Sequence, residues 1–231
     1  MDKITTISFD ADGTLWDFEG VMRHALGCAL AELRRLVPAA PDSLSVDTLI
    51  AIRNQVAEEQ KSRGLTHEAI RLEAFKRTLQ FIENSDDDLA AHLHALYLKH
   101  RFEDILIFDD VVPILDALQG HYTMGLLSNG NTYPERCGLA GYFQFVVFAQ
   151  EHDIQKPDPA LFEIAIERAG CAKRQLLHVG DSFQNDIIGA KQAGVKSVWL
   201  NRQGENNGTG KQHDFEISSL RELTRILENF L

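Results

Sequence analysis

A short apolar strand at the start of this chain is separated from every other predicted strand by a long stretch of helical periodicity. Ile4, Ile7 and Phe9 indicate this first, buried strand. Apolar segments of strand length reappear at 122–127, 145–148, 175–179 and 197–200. Helices are predicted before and between them at 111–118, 159–169 and 185–193. Because strands that alternate with helices form parallel sheets covered on both faces, we expect an α/β fold with a doubly wound parallel sheet.

The segment between the first and second strands is predicted to be entirely helical. Apolar residues recur there at spacings of three and four until Pro38 and Pro41 interrupt them, which indicates a helix that ends before these prolines. Three further helices are predicted at 44–62, 66–81 and 86–99. Ser85 followed by Asp88 resembles a capping box at the start of the last one. A final helix of the chain is predicted at 217–231.

The change from helical periodicity to alternating strands and helices along the chain predicts two domains. Residues 1–15 and 103–231 are expected to form the α/β core, and residues 16–102 an all-helical domain inserted into it. A chain of 231 residues with 44% hydrophobic residues is large enough to build both.

Charge and cysteine content limit the partners and the compartment. The formal net charge of −11 argues against a broad basic surface, so we expect neither nucleic acid nor an anionic membrane as a partner. The three cysteines have no CxxC spacing and cannot all pair within the chain, which favours a reducing compartment. The sequence has no signal-peptide pattern and no apolar run of membrane-spanning length. We therefore expect a soluble, cytoplasmic monomer or homodimer.

Two carboxylates, Asp10 and Asp12, follow the first strand directly and precede Gly13. Like charges this close resist joint ionisation unless a cation or a shared proton offsets them. The pair therefore indicates a functional site at the carboxyl end of the strand, where open α/β sheets bind ligands.

Further polar residues follow the other predicted strands or begin the following helices. Ser128 and Asn129 end the strand at 122–127, Lys156 precedes a helix, and Asp181 follows the strand at 175–179. Right-handed crossovers bring the carboxyl ends of parallel strands to one edge of the sheet. We therefore expect these side chains to converge with the first acid pair in one cleft.

The order and type of these residues resemble the haloacid dehalogenase-like hydrolase superfamily. The four motifs are the stretch 10–14, Ser128, Lys156, and Gly180-Asp181 through Asp186. Taken singly, each has a structural explanation, such as a turn, a solvated lysine or a helix N-cap. Four in order are a far more specific signal than one. The resemblance covers essentially the whole chain and implies a Rossmann-like core, with residues 16–102 similar to the helical cap found between motifs one and two.

The resemblance implies a phosphatase that uses an aspartyl-phosphate intermediate. Asp10 would be the nucleophile, and Asp12 would protonate the leaving group and then activate water. Asp10, the backbone carbonyl of Asp12, and Asp181 would hold Mg²⁺. The substrate would be a small phosphorylated metabolite.

The remaining motif residues would bind the phosphoryl group or support its ligands. Lys156 would offset charge on Asp10 and on the phosphoryl oxygens, while Ser128 and Asn129 would bind the phosphate. Asp186 is expected to support Lys156 or a metal-bound water rather than ligate the metal directly.

Three other functions remain open at this point. A mutase of the phosphoglucomutase kind would keep all four motifs. A haloacid dehalogenase would need neither Mg²⁺ nor an acid at Asp12, because halide departs without a proton, and the presence of Asp12 therefore favours phosphate chemistry. A phosphate-binding regulatory domain without turnover is the alternative of another class.

Within the helical segment, four arginines are candidates for binding a second anionic group of the substrate: Arg23, Arg53, Arg63 and Arg71. The histidines His92, His94 and His100 lack i, i+4 spacing and are expected to be solvated rather than metal-bound. His178 lies in a predicted buried strand and is expected to be a hydrogen-bonded structural histidine.

Overall fold

The computed structural model describes residues 3–60, 66–206 and 213–230. The chain divides into two compact units, one of Met1–Phe18 with Leu106–Leu231 and one of Glu19–Ile105. The first, the sheet unit, contains every described strand, and the described elements of the second, the helical unit, are all helices.

The division lies slightly beyond the expected boundaries at 15 and 102. The chain just after Leu15 stays with the sheet unit because its backbone is bonded there. Trp16 forms isolated β-bridges with Asp12 and Ile107, and the Asp17 N–H donates to the Leu106 carbonyl at 3.1 Å. The periodicity of apolar residues does not reveal these backbone hydrogen bonds, so the boundary predicted from the sequence is earlier.

Among the described residues, one parallel sheet contains six strands: β1 (Thr6–Phe9), β2 (Thr123–Ser128), β3 (Phe145–Phe148), β4 (Leu176–Gly180), β5 (Lys196–Leu200) and β6 (Phe215–Ile217). Their order is β3-β2-β1-β4-β5-β6, the doubly wound order in which the chain reverses direction at β1. β1 thus lies between β2 and β4, with Phe9 opposite both Leu126 and Val179. All four residues of β1 are buried, as is typical of a strand covered on both faces. The prediction of an α/β fold is confirmed.

The described helices of the sheet unit are α5 (Val111–Leu118), α6 (Pro159–Ala169), α7 (Gly189–Ala193) and α8 (Leu223–Leu227), and those of the helical unit are α1 (Phe18–Leu36), α2 (Val46–Gln60), α3 (His67–Phe81) and α4 (Asp87–Glu103).

Residues 61–62, predicted to end the second helix, lie outside the described residues, as does Arg63. Of the other candidate arginines, Arg23 pairs with Asp47 at 2.7 Å, and Nη2 of Arg53 lies 3.3 Å from Sδ of Met22. No described helix is long and apolar enough to cross a membrane.

The start of α4 differs from the predicted capping box. Asp86, not Ser85, is the N-cap, and its side chain accepts the Leu89 N–H at 2.9 Å. The carboxylate satisfies one of the amides that a helix start leaves free, and its charge suits the positive end of the helix dipole.

The predicted helix at 217–231 is wrong at its beginning. Phe215–Ile217 form β6, which pairs with β5 so that Leu200 lies opposite Ile217. The helical part is confined to α8, between 3₁₀ turns at Leu220–Glu222 and Glu228–Phe230. A three-residue edge strand is too short to show the alternation of apolar residues by which strands are recognised.

The predicted helix at 185–193 is divided in two. A π-helical turn at Phe183–Ile188 precedes α7. The Asp186 N–H donates to the Ser182 carbonyl at 2.8 Å, and the Asp186 carboxylate accepts the Ser182 N–H at 2.9 Å. This wide turn brings Asp186 back towards the sheet edge, and π turns of this kind are frequent at functional sites.

β2 and β3 approach closely at Gly125, which lies opposite Phe145. A Cβ added at Gly125 would lie 2.0 Å from Cζ of Phe145, so the ring occupies the space of the missing side chain. Phe145 is 7% exposed and belongs to the apolar cluster between the sheet and α6. The absence of a side chain at Gly125 therefore sets the position of the ring.

Replacing Gly125 by alanine is expected to destabilise the protein by about 1–3 kcal/mol, because the ring must leave a well-packed position. Urea denaturation at equilibrium measures the loss. The double variant Gly125→Ala/Phe145→Leu should lose less stability than the sum of the two single variants, since leucine lacks the ring atoms that clash. Additive losses would contradict the proposed contact.

Candidate active site

Three neighbouring strands of the sheet end beside one another and carry polar residues at their carboxyl ends. Asp10 follows β1, and its N–H donates to the carbonyl of Val179 on β4 at 2.8 Å. Ser128 is the last residue of β2, and Asp181 comes directly after β4. Because β1 lies between the other two, the three side chains meet at the edge where doubly wound sheets bind ligands.

Lys156 reaches this edge from the loop between β3 and α6. Asn129 fixes the loop, because its amide accepts the Lys156 N–H at 2.8 Å and donates to the Lys156 carbonyl at 3.0 Å. This reciprocal pair ties the segment after β2 to the segment before α6. Asn129, predicted to bind phosphate, is thus engaged in positioning Lys156.

The Lys156 ammonium is buried between two carboxylates. The residue is 2% exposed, so it is not a solvated charge. Its Nζ donates to Oδ1 of Asp10 and to Oδ1 of Asp186, both at 2.6 Å, and to the Leu127 carbonyl at 2.8 Å. All three protons of the ammonium therefore have acceptors, which is the condition under which a buried charge is tolerated.

Asp186 continues the hydrogen-bond chain into the sheet. Its Oδ1 lies 3.1 Å from Nε2 of His178, whose Nδ1 lies 2.9 Å from the Ser8 hydroxyl. His178 is fully buried, and burial lowers the pKa of its imidazole. The prediction of a structural histidine is confirmed.

The acidic groups differ in their protonation because their surroundings differ. Burial raises the pKa of Asp10, although Lys156 opposes this effect. Burial together with the charge of Asp186 raises the pKa of Asp181 to about 6. Burial also acts to raise the pKa of Asp186, but Lys156 and His178 outweigh it and hold that pKa at about 2. One ammonium does not balance three carboxylates, so this edge of the sheet favours a further cation.

The donor set fits a hard divalent cation. Carboxylate oxygens of Asp10, Asp181 and Asp186 lie within 4.8 Å of one another. The oxygens of Asp186 already accept hydrogen bonds from Lys156 and from the Ser182 N–H, so its carboxylate is the least free of the three to ligate. Asp10 and Asp181 are the two that match the predicted Mg²⁺ ligands, since Mg²⁺ takes oxygen ligands and one or two carboxylates. Participation of the Asp12 carbonyl stays a prediction.

Thr14 joins the two carboxylates that could hold the cation. Its Oγ1 accepts the Asp181 N–H at 3.1 Å and lies 3.1 Å from Oδ1 of Asp181 and 3.4 Å from Oδ2 of Asp10. The sequence placed Thr14 in the first motif but assigned it no role. Thr14 and Asp181 are 167 positions apart in the chain, and a single sequence gives no indication that they are in contact.

The Asp12 carboxyl group is held apart from this cluster. Nε1 of the fully buried Trp16 donates to its Oδ1 at 2.6 Å. Its Oδ2 lies beside Gly130, where an added Cβ would come within 2.5 Å of that oxygen. Lack of a side chain at Gly130 therefore leaves the room that Asp12 needs. The position of Trp16 after the acid pair could have suggested this contact, but packing was an equally good explanation.

These residues line one small cleft in the sheet unit. Its volume is about 140 Å³, and it is lined by Asp10, Asp12, Ser128, Asn129, Gly130, Lys156, Asp181, Ser182, Asn185 and Asp186. All seven predicted site residues are therefore brought together, and Ser182 and Asn185 are additions that the sequence reasoning missed. The Ser128 hydroxyl accepts the Gly130 N–H at 2.9 Å, which leaves its own proton to donate.

Residues 4–194 match the haloacid dehalogenase-like hydrolase family. The chain belongs to this family. Over 122 residues, 50% of this chain and 54% of the relative, it is 34% identical to pyrimidine 5'-nucleotidase YjjG of Escherichia coli. It is 27% identical to the 5-amino-6-(5-phospho-D-ribitylamino)uracil phosphatase YigB of the same organism, covering 98% of each chain.

This haloacid dehalogenase-like hydrolase also resembles solved structures over its full length. A structure described as 2-haloacid dehalogenase from Pseudomonas syringae is similar with a TM-score of 0.82 and 33% identity, covering 99% of this chain and 100% of the other. The likeness supports the observed doubly wound sheet with its inserted helical unit.

Replacing Lys156 by methionine is expected to destabilise this hydrolase by about 3–5 kcal/mol, because two buried carboxylates lose their shared counter-charge. Lys173→Met removes an exposed ammonium that pairs with Glu163 and should cost less than about 1 kcal/mol. Urea denaturation of both variants gives the comparison. Equal losses would show that the buried ammonium adds no stability beyond an exposed pair.

The loss in Lys156→Met should also depend on pH. Without the ammonium, the pKa of Asp186 rises above that of the unfolded chain, and the pKa of Asp10, which burial already raises, rises further. A raised pKa contributes stability at low pH that disappears as the pH rises through it. The loss in free energy of unfolding relative to the parent protein should therefore be smaller at about pH 5 than at about pH 8. A deficit independent of pH would contradict the assignment.

Proposed function

We propose that this chain is a Mg²⁺-dependent phosphomonoester hydrolase that acts on a small phosphorylated metabolite through an aspartyl-phosphate intermediate. The observation that carries the proposal is the separation of the two acids of the first motif. Asp10 lies with Lys156 and Asp181 in the charged cluster, whereas Asp12 is held by Trp16 at its margin. This separation supports a division of roles in which Asp10 attacks phosphorus and Asp12 transfers the proton.

In the first step, an oxygen of Asp10 attacks phosphorus as the bond from phosphorus to the leaving alkoxide breaks. Asp12, as the neutral acid, gives its proton to that alkoxide. Lys156 donates to Asp10 and lines the cleft where the phosphoryl oxygens would bind, and the Ser128 hydroxyl, which accepts the Gly130 N–H and keeps its own proton to donate, lines the same cleft. These donors offset the negative charge that the attack brings together.

In the second step, Asp12 acts as the base. Its carboxylate takes a proton from a water molecule as the water oxygen attacks phosphorus, and the bond to Asp10 breaks to release inorganic phosphate. Asp12 regains the proton that it gave away in the first step, and Asp10 regains its carboxylate. The Trp16 indole holds Oδ1 of Asp12 in place for both transfers.

Asp10 and Asp181, with the backbone carbonyl of Asp12, would hold the Mg²⁺ ion, and the raised pKa values of both carboxylates support a site that needs a cation. Bound there, Mg²⁺ supplies positive charge that neutralises the phosphoryl oxygens.

The cleft has room for the phosphoryl group but for little more. Its volume of about 140 Å³ is well below the roughly 300–1,000 Å³ of pockets that enclose whole organic ligands. The leaving group of the substrate therefore extends beyond the cleft. The two Escherichia coli relatives are named as phosphatases of pyrimidine derivatives, so pyrimidine nucleoside monophosphates belong first among the substrates to test.

Haloacid dehalogenation is the second candidate, because the Pseudomonas syringae structure with 33% identity is described as a 2-haloacid dehalogenase. That reaction needs the Asp10 nucleophile but no proton donor for the departing halide. Two features favour phosphate chemistry over dehalogenation: the hydrogen bond from Trp16 to Asp12, and the acidic pair of Asp10 and Asp181.

The central test is release of inorganic phosphate from nucleoside monophosphates, sugar phosphates and phosphoglycolate, with Mg²⁺ or with EDTA. We expect turnover that EDTA abolishes and that Asp10→Asn reduces on the order of 10⁴-fold or more, because the nucleophile is lost. Asp109→Asn makes the same change at an exposed position of the sheet unit and should leave the rate unchanged.

Each alternative has its own result in the same assay. Chloride release from a 2-chloroacid without Mg²⁺ would support dehalogenation, and an isomerised sugar phosphate as the main product would support a mutase. Phosphate binding without Asp10-dependent turnover of any substrate would support a regulatory domain.

Asp12→Asn should lower kcat by about 10²–10⁴-fold with a smaller change in KM, because the amide neither gives nor takes the proton. Trp16→Phe removes the hydrogen bond to Asp12 together with part of a buried ring and should give a smaller loss of kcat than Asp12→Asn. Steady-state kinetics over a range of pH measures both. An unchanged kcat in Asp12→Asn would remove its proposed role.

A further inference from the structure

A second group of metal-binding side chains lies within the helical unit. His24 and Cys28 are four residues apart on α1, and His100 and Asp104 are four residues apart at the end of α4. Residues at i and i+4 of a helix project from the same face. Both pairs converge, so that ligand atoms of His24, Cys28 and His100 lie within 4.8 Å of one another.

Asp104 connects the two imidazoles. Its Oδ2 lies 3.0 Å from Nε2 of His24 and 2.7 Å from Nδ1 of His100. The imidazole rings are 5.6 Å apart between centroids and are nearly perpendicular, at 86°. Two ring nitrogens thus lie within hydrogen-bond distance of one carboxylate oxygen, and one of them, Nε2 of His24, also lies beside the Cys28 thiol.

The distances from Nε2 of His24 to Asp104 and to Cys28 are close to those of a tetrahedral zinc site. Zn–N and Zn–O bonds near 2.0–2.1 Å and a Zn–S bond near 2.3 Å separate nitrogen from oxygen by about 3.3 Å and nitrogen from sulfur by about 3.6 Å. Sγ of Cys28 lies 3.7 Å from Nε2 of His24. The contacts of Asp104 with His24 and His100 would lengthen by roughly 0.3 and 0.6 Å as metal bonds replace hydrogen bonds.

The ligand types select zinc rather than magnesium. Two imidazoles, one thiolate and one carboxylate are donors that suit Zn²⁺, whereas Mg²⁺ takes oxygen ligands. His24 and Asp104 are exposed, and Cys28 and His100 are half-buried, so an ion can reach the group from solvent. His100 is half-buried, with Asp104 at the end of its own helix and the His24 ring of α1 as neighbours, so it is less solvated than the sequence suggested.

We propose that His24, Cys28, His100 and Asp104 form a Zn²⁺ site that joins α1 to α4. The ion would replace the hydrogen bonds through Asp104 with a cross-link between two segments far apart in the chain. Its binding free energy would add to the stability of the helical unit, since the ligands are together only in the folded state. This site is independent of the proposed phosphatase chemistry.

The first experiment is equilibrium dialysis of the full chain against Zn²⁺ in excess Mg²⁺, with metal analysis of the protein. We expect one tightly bound Zn²⁺ per chain. Cys28→Ser and His100→Ala should each raise its dissociation constant at least about 10-fold, because each removes a ligand. Cys171→Ser and His92→Ala are the matched controls and should bind zinc as the parent protein does.

Asp181→Asn separates this site from the acidic cleft, which also attracts divalent ions. That variant should retain the tight zinc ion. Loss of the ion in Asp181→Asn, or its retention in a Cys28→Ser/His100→Ala double variant, would overturn the proposal.

Two measurements on the unaltered protein keep the proposal testable if a variant fails to fold. Zn²⁺ should protect Cys28, but not Cys171, from a thiol-alkylating reagent, as read by mass spectrometry of the peptides. Co²⁺ should give the intense absorption of a tetrahedral site together with a sulfur-to-cobalt charge-transfer band. Unprotected Cys28, or a weak octahedral spectrum without that band, would overturn the site.

Discussion

The Lys156 ammonium, buried between Asp10 and Asp186, is the interaction on which the arrangement at the sheet edge depends. Asp10 and Asp186 are 146 and 30 positions away from Lys156 in the chain. The ammonium also donates to the Leu127 carbonyl of β2. Burying one charge is costly unless it is paired and fully hydrogen-bonded, and here each acceptor lies on a different segment of the sheet edge. The ion pairs therefore hold together the segments that follow β1 and β4 and the loop that precedes α6.

The same contacts divide the acids of the cleft into two kinds. Asp186 is bound by Lys156, His178 and the Ser182 N–H, and its pKa is held at about 2. Asp10 and Asp181 keep raised pKa values because one ammonium does not compensate all three carboxylates. Asp186 is thus a carboxylate stabilised by hydrogen bonds, whereas its neighbours Asp10 and Asp181 lack a sufficient counter-charge. This imbalance is the physical basis for expecting a cation at this edge of the sheet.

Much of the sheet and of the cleft could be predicted, because buried parallel strands are continuous apolar runs that end in polar residues. β3 was predicted with its observed bounds, and every predicted site residue lies in one cleft. The errors arose where tertiary contacts override local pattern. β6 is recognised only through its pairing with β5, and a π-helical turn rather than a continuous helix leads into α7. Trp16 and Thr14 contact the acids through side-chain hydrogen bonds that no periodicity reveals.

The α/β fold, the order of the four motifs and the residue types available for chemistry can be read from the sequence, since each depends on local composition and spacing. Three features emerge only when the chain is folded: which oxygen of each acid accepts a hydrogen bond, the positioning of Lys156 by Asn129, and the approach of His24 and Cys28 to His100. The physical reason is the same in each case. Hydrogen bonds and ligand geometry act over about 3 Å, and only packing of distant segments brings their atoms within that range.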